Sequence, residues 1–229
     1  MAESDIRANL ERVQAAINRA CERAGRSPGE VLLIAVSKTV EAERIQQAIA
    51  AGVAALGENR VQEARGKIEA LGRPVPWHLI GPLQTNKAKD AVRLFDWIHS
   101  VDRLELATEL DRRARALGKT VDTLLEVNVA EEPQKLGARP DEIKPLLDAL
   151  AGLSGIRICG LMAIPPAVPD AERSRPHFRR LRELRDSAGL THLSMGMSGD
   201  FEVAVEEGAT MVRVGTAIFG PRPARQGNP

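Results

Sequence analysis

Lys38 stands just beyond a continuous apolar run, residues 31–36, whose length and composition suit a strand buried on both faces. Desolvation at the end of such a strand eases loss of the lysine proton, and a neutral amine attacks an aldehyde to form an imine. Alone, Lys38 also reads as a solvated strand-end lysine paired with an acid. Far along the chain, Ser198-Gly199 and Gly215-Thr216 combine hydroxyl donors with glycines that admit close backbone approach, as a phosphate cradle requires. Helix caps and turns would use the same residues. Arg213 lies between Val212 and Val214, so strand alternation turns it to the opposite face from them. An inward arginine calls for a phosphate, a carboxylate or an aromatic-ring nitrogen, or else an ion pair with a strand neighbour such as Glu126.

These residues share a site only if the elements carrying them meet. Short apolar runs recur at residues 31–36, 53–56, 77–80, 96–99, 123–129, 156–161, 192–195 and 211–214, separated by amphipathic stretches. Gly52, Gly72, Gly118, Gly152, Gly189 and Gly208 each close an amphipathic stretch just before the next run, which reads as helix, left-handed cap, strand. Asp102 with Glu105 reads as the opposite signal, a helix N-cap with a side chain reaching back. Ile6, Leu10, Val13 and Ile17 add an N-terminal helix over about 2–24, ended by Gly25. Eight strands alternating with helices in 229 residues fit one (β/α)8 TIM barrel spanning the whole chain, with an irregular tail at about 221–229. An open doubly wound sheet is the alternative. In a barrel, strand one closes against strand eight and the loops after strands seven and eight form the usual phosphate site, so Lys38 would lie beside Ser198, Gly215 and Thr216.

Composition narrows the function. Lys plus Arg (32) balances Asp plus Glu (31), leaving a net charge of +1 and no global reason for a nucleic-acid partner. The arginines at 173, 175, 179, 180, 182 and 185 interleave with Glu172, Glu183 and Asp186 and read as a solvated helix face. No apolar run approaches the ~20 residues of a membrane helix, and the start lacks the order of a signal peptide, so the expected location is the cytoplasm. Two cysteines and four histidines, without metal-ligand spacing, point to packing rather than a disulfide framework or a metal site.

The ordered set Ala35-Val-Ser-Lys38, Gly57-Glu-Asn-Arg60, Trp77-His-Leu-Ile-Gly-Pro-Leu-Gln-Thr-Asn-Lys87, Gly160-Leu-Met-Ala163, Ser194-Met-Gly-Met-Ser198 and Val212-Arg-Val-Gly-Thr-Ala-Ile-Phe-Gly220 closely resembles the pyridoxal phosphate homeostasis protein family, over about residues 5–221. The resemblance implies a barrel similar to the N-terminal domain of alanine racemase, with pyridoxal 5′-phosphate (PLP) as a Schiff base on Lys38. It further implies that Ser198, Gly215 and Thr216 hold the phosphate, that Arg213 faces the pyridine nitrogen, and that Asn59, His78, Met162 and Met197 line the pocket. The family often carries a more polar Ser/Asp stretch and an aromatic tail where this chain has Ser198-Gly-Asp200 and Phe219-Gly-Pro-Arg-Pro-Ala224.

A cation at the pyridine nitrogen opposes ring protonation and weakens the ring as an electron sink. Racemases with such an arginine pair their lysine with a tyrosine from a second domain, and this chain contains no tyrosine. The expected protein is therefore a non-catalytic, monomeric binder that buffers PLP or delivers it to PLP-dependent apoenzymes, affecting amino-acid and keto-acid balance indirectly. The alternatives are a PLP-dependent amino-acid racemase and a barrel enzyme using Lys38 on a phosphorylated metabolite.

Overall fold

The structure, a computed structural model, describes residues 5–221. Helix α1 (Ile6–Arg23) starts where the Asp5 carboxylate accepts from the Ala8 amide and buries Ile6, Leu10, Val13 and Ile17. The expected start at residue 2 and most of the expected tail lie outside the described residues.

Eight strands then alternate with helices: β1 (Leu32–Val36), α2 (Ala42–Ala50), β2 (Ala55–Glu58), α3 (Val61–Leu71), β3 (Trp77–Leu79), α4 (Ala88–Leu94), β4 (Trp97–Val101), α5 (Leu104–Ala116) and β5 (Val121–Glu126). They continue with α6 (Ile143–Leu150), β6 (Ile156–Met162), α7 (Arg175–Ser187), β7 (His192–Ser194), α8 (Phe201–Glu206), β8 (Met211–Val214) and the short α9 (Thr216–Phe219). The strands form one closed parallel barrel in sequence order. Closure is made by β1 on β8, with Leu32 opposite Met211 and Ala35 opposite Val214.

Pleat alternation divides the core. Leu33, Ala35, Leu56, Leu79, Leu161, Val212 and Val214 face the helix layer, while Ile34, Ala55, Leu124, Met162 and Met211 pack together inside the barrel. The eight expected strands are all present, and their bounds agree within one residue except at the second, the fourth, which runs on to Val101, and the fifth. The second begins at Ala55 rather than 53, because barrel stagger gives the start of β1 to β8 and leaves β2 to pair from Ile34 onward. The fifth begins at Val121 and stops at Glu126 instead of running to 129, since its partner β6 ends at Met162 and Val127 bridges to Ala138.

Two punctuation readings are corrected. Gly52, Gly72, Gly118, Gly189 and Gly208 all take positive φ, but Gly152 does not, because the turn after α6 closes without a left-handed residue. Asp102 does not cap α5: the N-cap is Arg103 in an extended conformation, and the Asp102 carboxylate instead takes the Arg103 guanidinium at 2.6 Å.

Candidate functional site

A cavity of about 270 Å³ opens where the C-terminal ends of the strands converge, near the small end of the roughly 300–1,000 Å³ usual for small-molecule sites. Lys38 follows β1, Asn59 follows β2, Ile80 follows β3, Ile164 follows β6, Ser198 follows β7, and Gly215 with Thr216 follow β8; all line it. Arg213 and Val36 reach it from within the barrel, and Met197 and Phe219 add apolar wall. Strand ends collect these groups because every parallel strand delivers its following loop to the same mouth.

Barrel closure sets the distance between the lysine turn and the β8 loop. A Cβ on Gly215 would stand 3.2 Å from the Val36 carbonyl oxygen, so glycine is what lets the two strand ends lie this close. Across from them the Ser198 hydroxyl oxygen accepts from the amides of Gly215 at 3.3 Å and Ala217 at 3.4 Å. These are long bonds, and two amides converging on a hydroxyl would serve a small anion at least as well. Asp200 steadies the loop by accepting the Met197 amide at 2.7 Å and the Ser174 hydroxyl at 3.1 Å.

Arg213 is buried, and its Nη1 donates to Ser194 Oγ at 2.6 Å while Nη2 donates to the Ala163 carbonyl at 3.0 Å. Burial pulls its pKa down to about 10 against the opposing field of Glu126 and Asp200. No ion pair joins Arg213 to Glu126; that carboxyl is pushed up to about 7, first by burial and then by the Asp102 charge, with Arg213 opposing. Ser194 Oγ also lies 2.9 Å from His99 Nδ1, and His99 Nε2 lies 2.9 Å from His78 Nδ1. Because the guanidinium occupies a serine lone pair, the serine proton is free for His99 Nδ1, and His99 Nε2–H then donates to His78. Both rings are neutral: burial drives His78 down to about 4 and His99 well below its usual value.

Of the nine residues singled out from sequence, Lys38, Asn59, Met197, Ser198, Arg213, Gly215 and Thr216 line the cavity. His78 and Met162 do not; both are buried in the barrel interior, His78 against His99 and Trp97, and Met162 among Ile34, Leu124 and Met211. His78 still connects to the cavity through His99, Ser194 and Arg213. Reading from sequence missed His99, Ser194 and a charged cluster of Glu58, Glu63 and Lys67 beside the lysine turn. The one signal for His99 and Ser194 was their alternation with apolar outward residues on β4 and β7.

Among the described residues no group of three or more His, Cys, Asp or Glu is placed to hold a metal ion, and no helix is long and apolar enough to cross a membrane.

Comparison with known proteins gives a consistent set of relatives. The family model described as alanine racemase, N-terminal domain, matches residues 6–223. A pyridoxal phosphate homeostasis protein of Aquifex aeolicus is 48% identical over 220 residues, covering 93% of this chain and 96% of the relative. One from Escherichia coli is 43% identical over 231 residues, covering 96% and 97%. Among solved structures, PipY of Synechococcus elongatus with PLP bound superposes at TM-score 0.79 with 41% identity, covering 90% of this chain and 100% of that one. An alanine racemase of Clostridium difficile, 16% identical at TM-score 0.70 and covered over 58% of its length, shares the fold.

Proposed function

The chain belongs to the pyridoxal phosphate homeostasis protein family, and from that footing we propose that it holds PLP in the strand-end cavity, anchored covalently on Lys38, without turning over a substrate. The observation that carries this reading is that an amine, a buried guanidinium and a pair of amides with a hydroxyl converge on one cavity of about 270 Å³. The residues present fit such a cofactor. Ser198, Gly215 and Thr216 suit the phosphate, Ile80, Ile164 and Met197 offer apolar wall to a ring, and Arg213 offers a fixed donor to the ring nitrogen. When bound, the cofactor supplies an aldehyde with which the Lys38 amine condenses, water being lost.

Three features support a holder over a catalyst. Arg213, tied to Ser194 and Ala163, is a permanent positive charge near neutral pH, and it keeps protons off an acceptor placed against it. Lys38 and Arg213 are the only titratable side chains among the described residues lining the cavity, so no second base stands opposite the lysine. The cavity is also small for a cofactor and a substrate together. Such a protein would act as a cytoplasmic, monomeric reservoir, its further partners being PLP-dependent apoenzymes.

Absorbance tests this directly. Purified protein given PLP should turn yellow, lose the band on borohydride reduction, and retain the reduced cofactor on the peptide containing Lys38. K38A should retain none. Protein that stays colourless overturns the reading, and loss of chirality from L-alanine, absent in K38A, overturns its non-catalytic part.

A further inference from the structure

Both neighbours of Lys38 are gripped from outside the barrel. On its N-terminal side, the Ser37 hydroxyl donates to Glu58 Oε1 at 2.6 Å and the Ser37 carbonyl accepts from Lys67 Nζ at 2.6 Å. On its C-terminal side, the Thr39 amide donates to Glu63 Oε1. Lys67 Nζ joins the two grips, lying 2.7 Å from Glu58 and 2.6 Å from Glu63. Glu58 is at the end of β2, and Glu63 and Lys67 are one helical turn apart on α3, so the cluster ties both flanks of Lys38 to one rigid element.

Two features make this more than a surface ion pair. Thr39 holds φ +62, a left-handed conformation that a β-branched residue avoids unless its surroundings impose it. Glu58 is fully buried, yet its Oε2 has no hydrogen-bond partner among the described residues, and burial raises its carboxyl above the usual range. A half-satisfied buried carboxylate is a poor device for stability alone. None of the three side chains lines the cavity.

We infer that Glu58, Glu63 and Lys67 are positioning residues which hold the 37–39 turn so that the Lys38 amine points into the cavity, controlling covalent capture separately from non-covalent binding. The inference rests on Lys38 being the anchor. Capture adds the amine nitrogen to the aldehyde carbon; the carbonyl oxygen departs as water with the two amine protons, a C=N bond forms, and no redox partner is required. Misdirecting the amine slows that step without touching the Ser198, Gly215 and Thr216 contacts.

Two ligands separate the effects: PLP, and pyridoxine 5′-phosphate, which carries an alcohol in place of the aldehyde and cannot be captured. In Lys67→Met the rate of capture, read by absorbance and borohydride trapping, should fall about tenfold or more. Glu63→Gln should show a smaller fall in the same direction, and Lys67→Arg should recover most of the rate. Affinity for pyridoxine 5′-phosphate should stay within about twofold of wild type in all three, since its contacts are unchanged. Unchanged capture, or parallel loss for both ligands, overturns the positioning role. If Lys67→Met fails to fold, Glu63→Gln and the exposed Thr39→Gly decide by the same two readouts. A wild type that traps no cofactor on Lys38 overturns the anchor itself, which is distinguishable from trapping that the variants leave unaltered.

Discussion

At the scale of single residues, the barrel interior opposes two kinds of titration. Burial holds His78 down to about 4 and His99 well below its ordinary value, so as pH falls below 6.5 the unfolded chain takes up protons that the folded one refuses. Their contribution is fully present above pH 6.5 and is lost as pH falls. Glu126, pushed up to about 7 from 4.5, has the reverse slope: the unfolded chain ionises first, and stability falls as pH rises from 4.5 to 7. Glu126→Gln should therefore stabilise the protein at pH 8 by roughly 1–3 kcal/mol more than at pH 4. Urea unfolding at the two pH values checks this, and equal shifts at both would show that the carboxyl titrates normally.

At the scale of elements, the helix-closing glycines Gly118 and Gly152 differ by backbone conformation and not by space. Gly118, after α5, holds φ +63, whereas Gly152, after α6, is outside the left-handed region; a Cβ on either would meet no atom within 4 Å. Gly118→Ala should cost roughly 1 kcal/mol, because an L side chain is strained there. Gly152→Ala should be neutral or stabilising by up to about 1 kcal/mol, through the lower entropy of the unfolded chain. Paired thermal melts measure both. The two glycines occupy equivalent places in the sequence pattern, and only the path of the chain after each helix separates them.

At the scale of the whole molecule, the arginine-rich face of α7 is spent internally. Arg175 pairs with Glu172, Glu206 and Glu207, and Arg179 and Arg182 also reach Glu207. Arg23 of α1 meets Glu202 and Glu206 from the other side, so α8 is an acidic bar between two basic helices. Glu207 is the buried centre of this network. Glu207→Gln should cost roughly 1–3 kcal/mol, less than a fully buried pair because the arginines remain partly solvated. Urea midpoints at low and high salt measure it, and the loss should shrink as salt screens the network.

The amino-acid sequence by itself determined the barrel, its order of elements and most of the strand-end site. Those depend on short-range patterns: apolar runs, helix-closing glycines, and the loop after each strand, which a closed parallel sheet always brings to one mouth. Lys38, Ser198, Arg213, Gly215 and Thr216 were legible because closure of β1 on β8 follows from the strand count. Tertiary structure decided what lies behind the site. Ser194 meets His99 across 95 residues and Ser37 meets Glu58 across 21, through stagger between strands and the choice of face. A shift of one residue in register would turn either pair apart. The choice of face also puts His78 and Met162, close to the site in the chain's pattern, in the barrel interior rather than in the cavity lining.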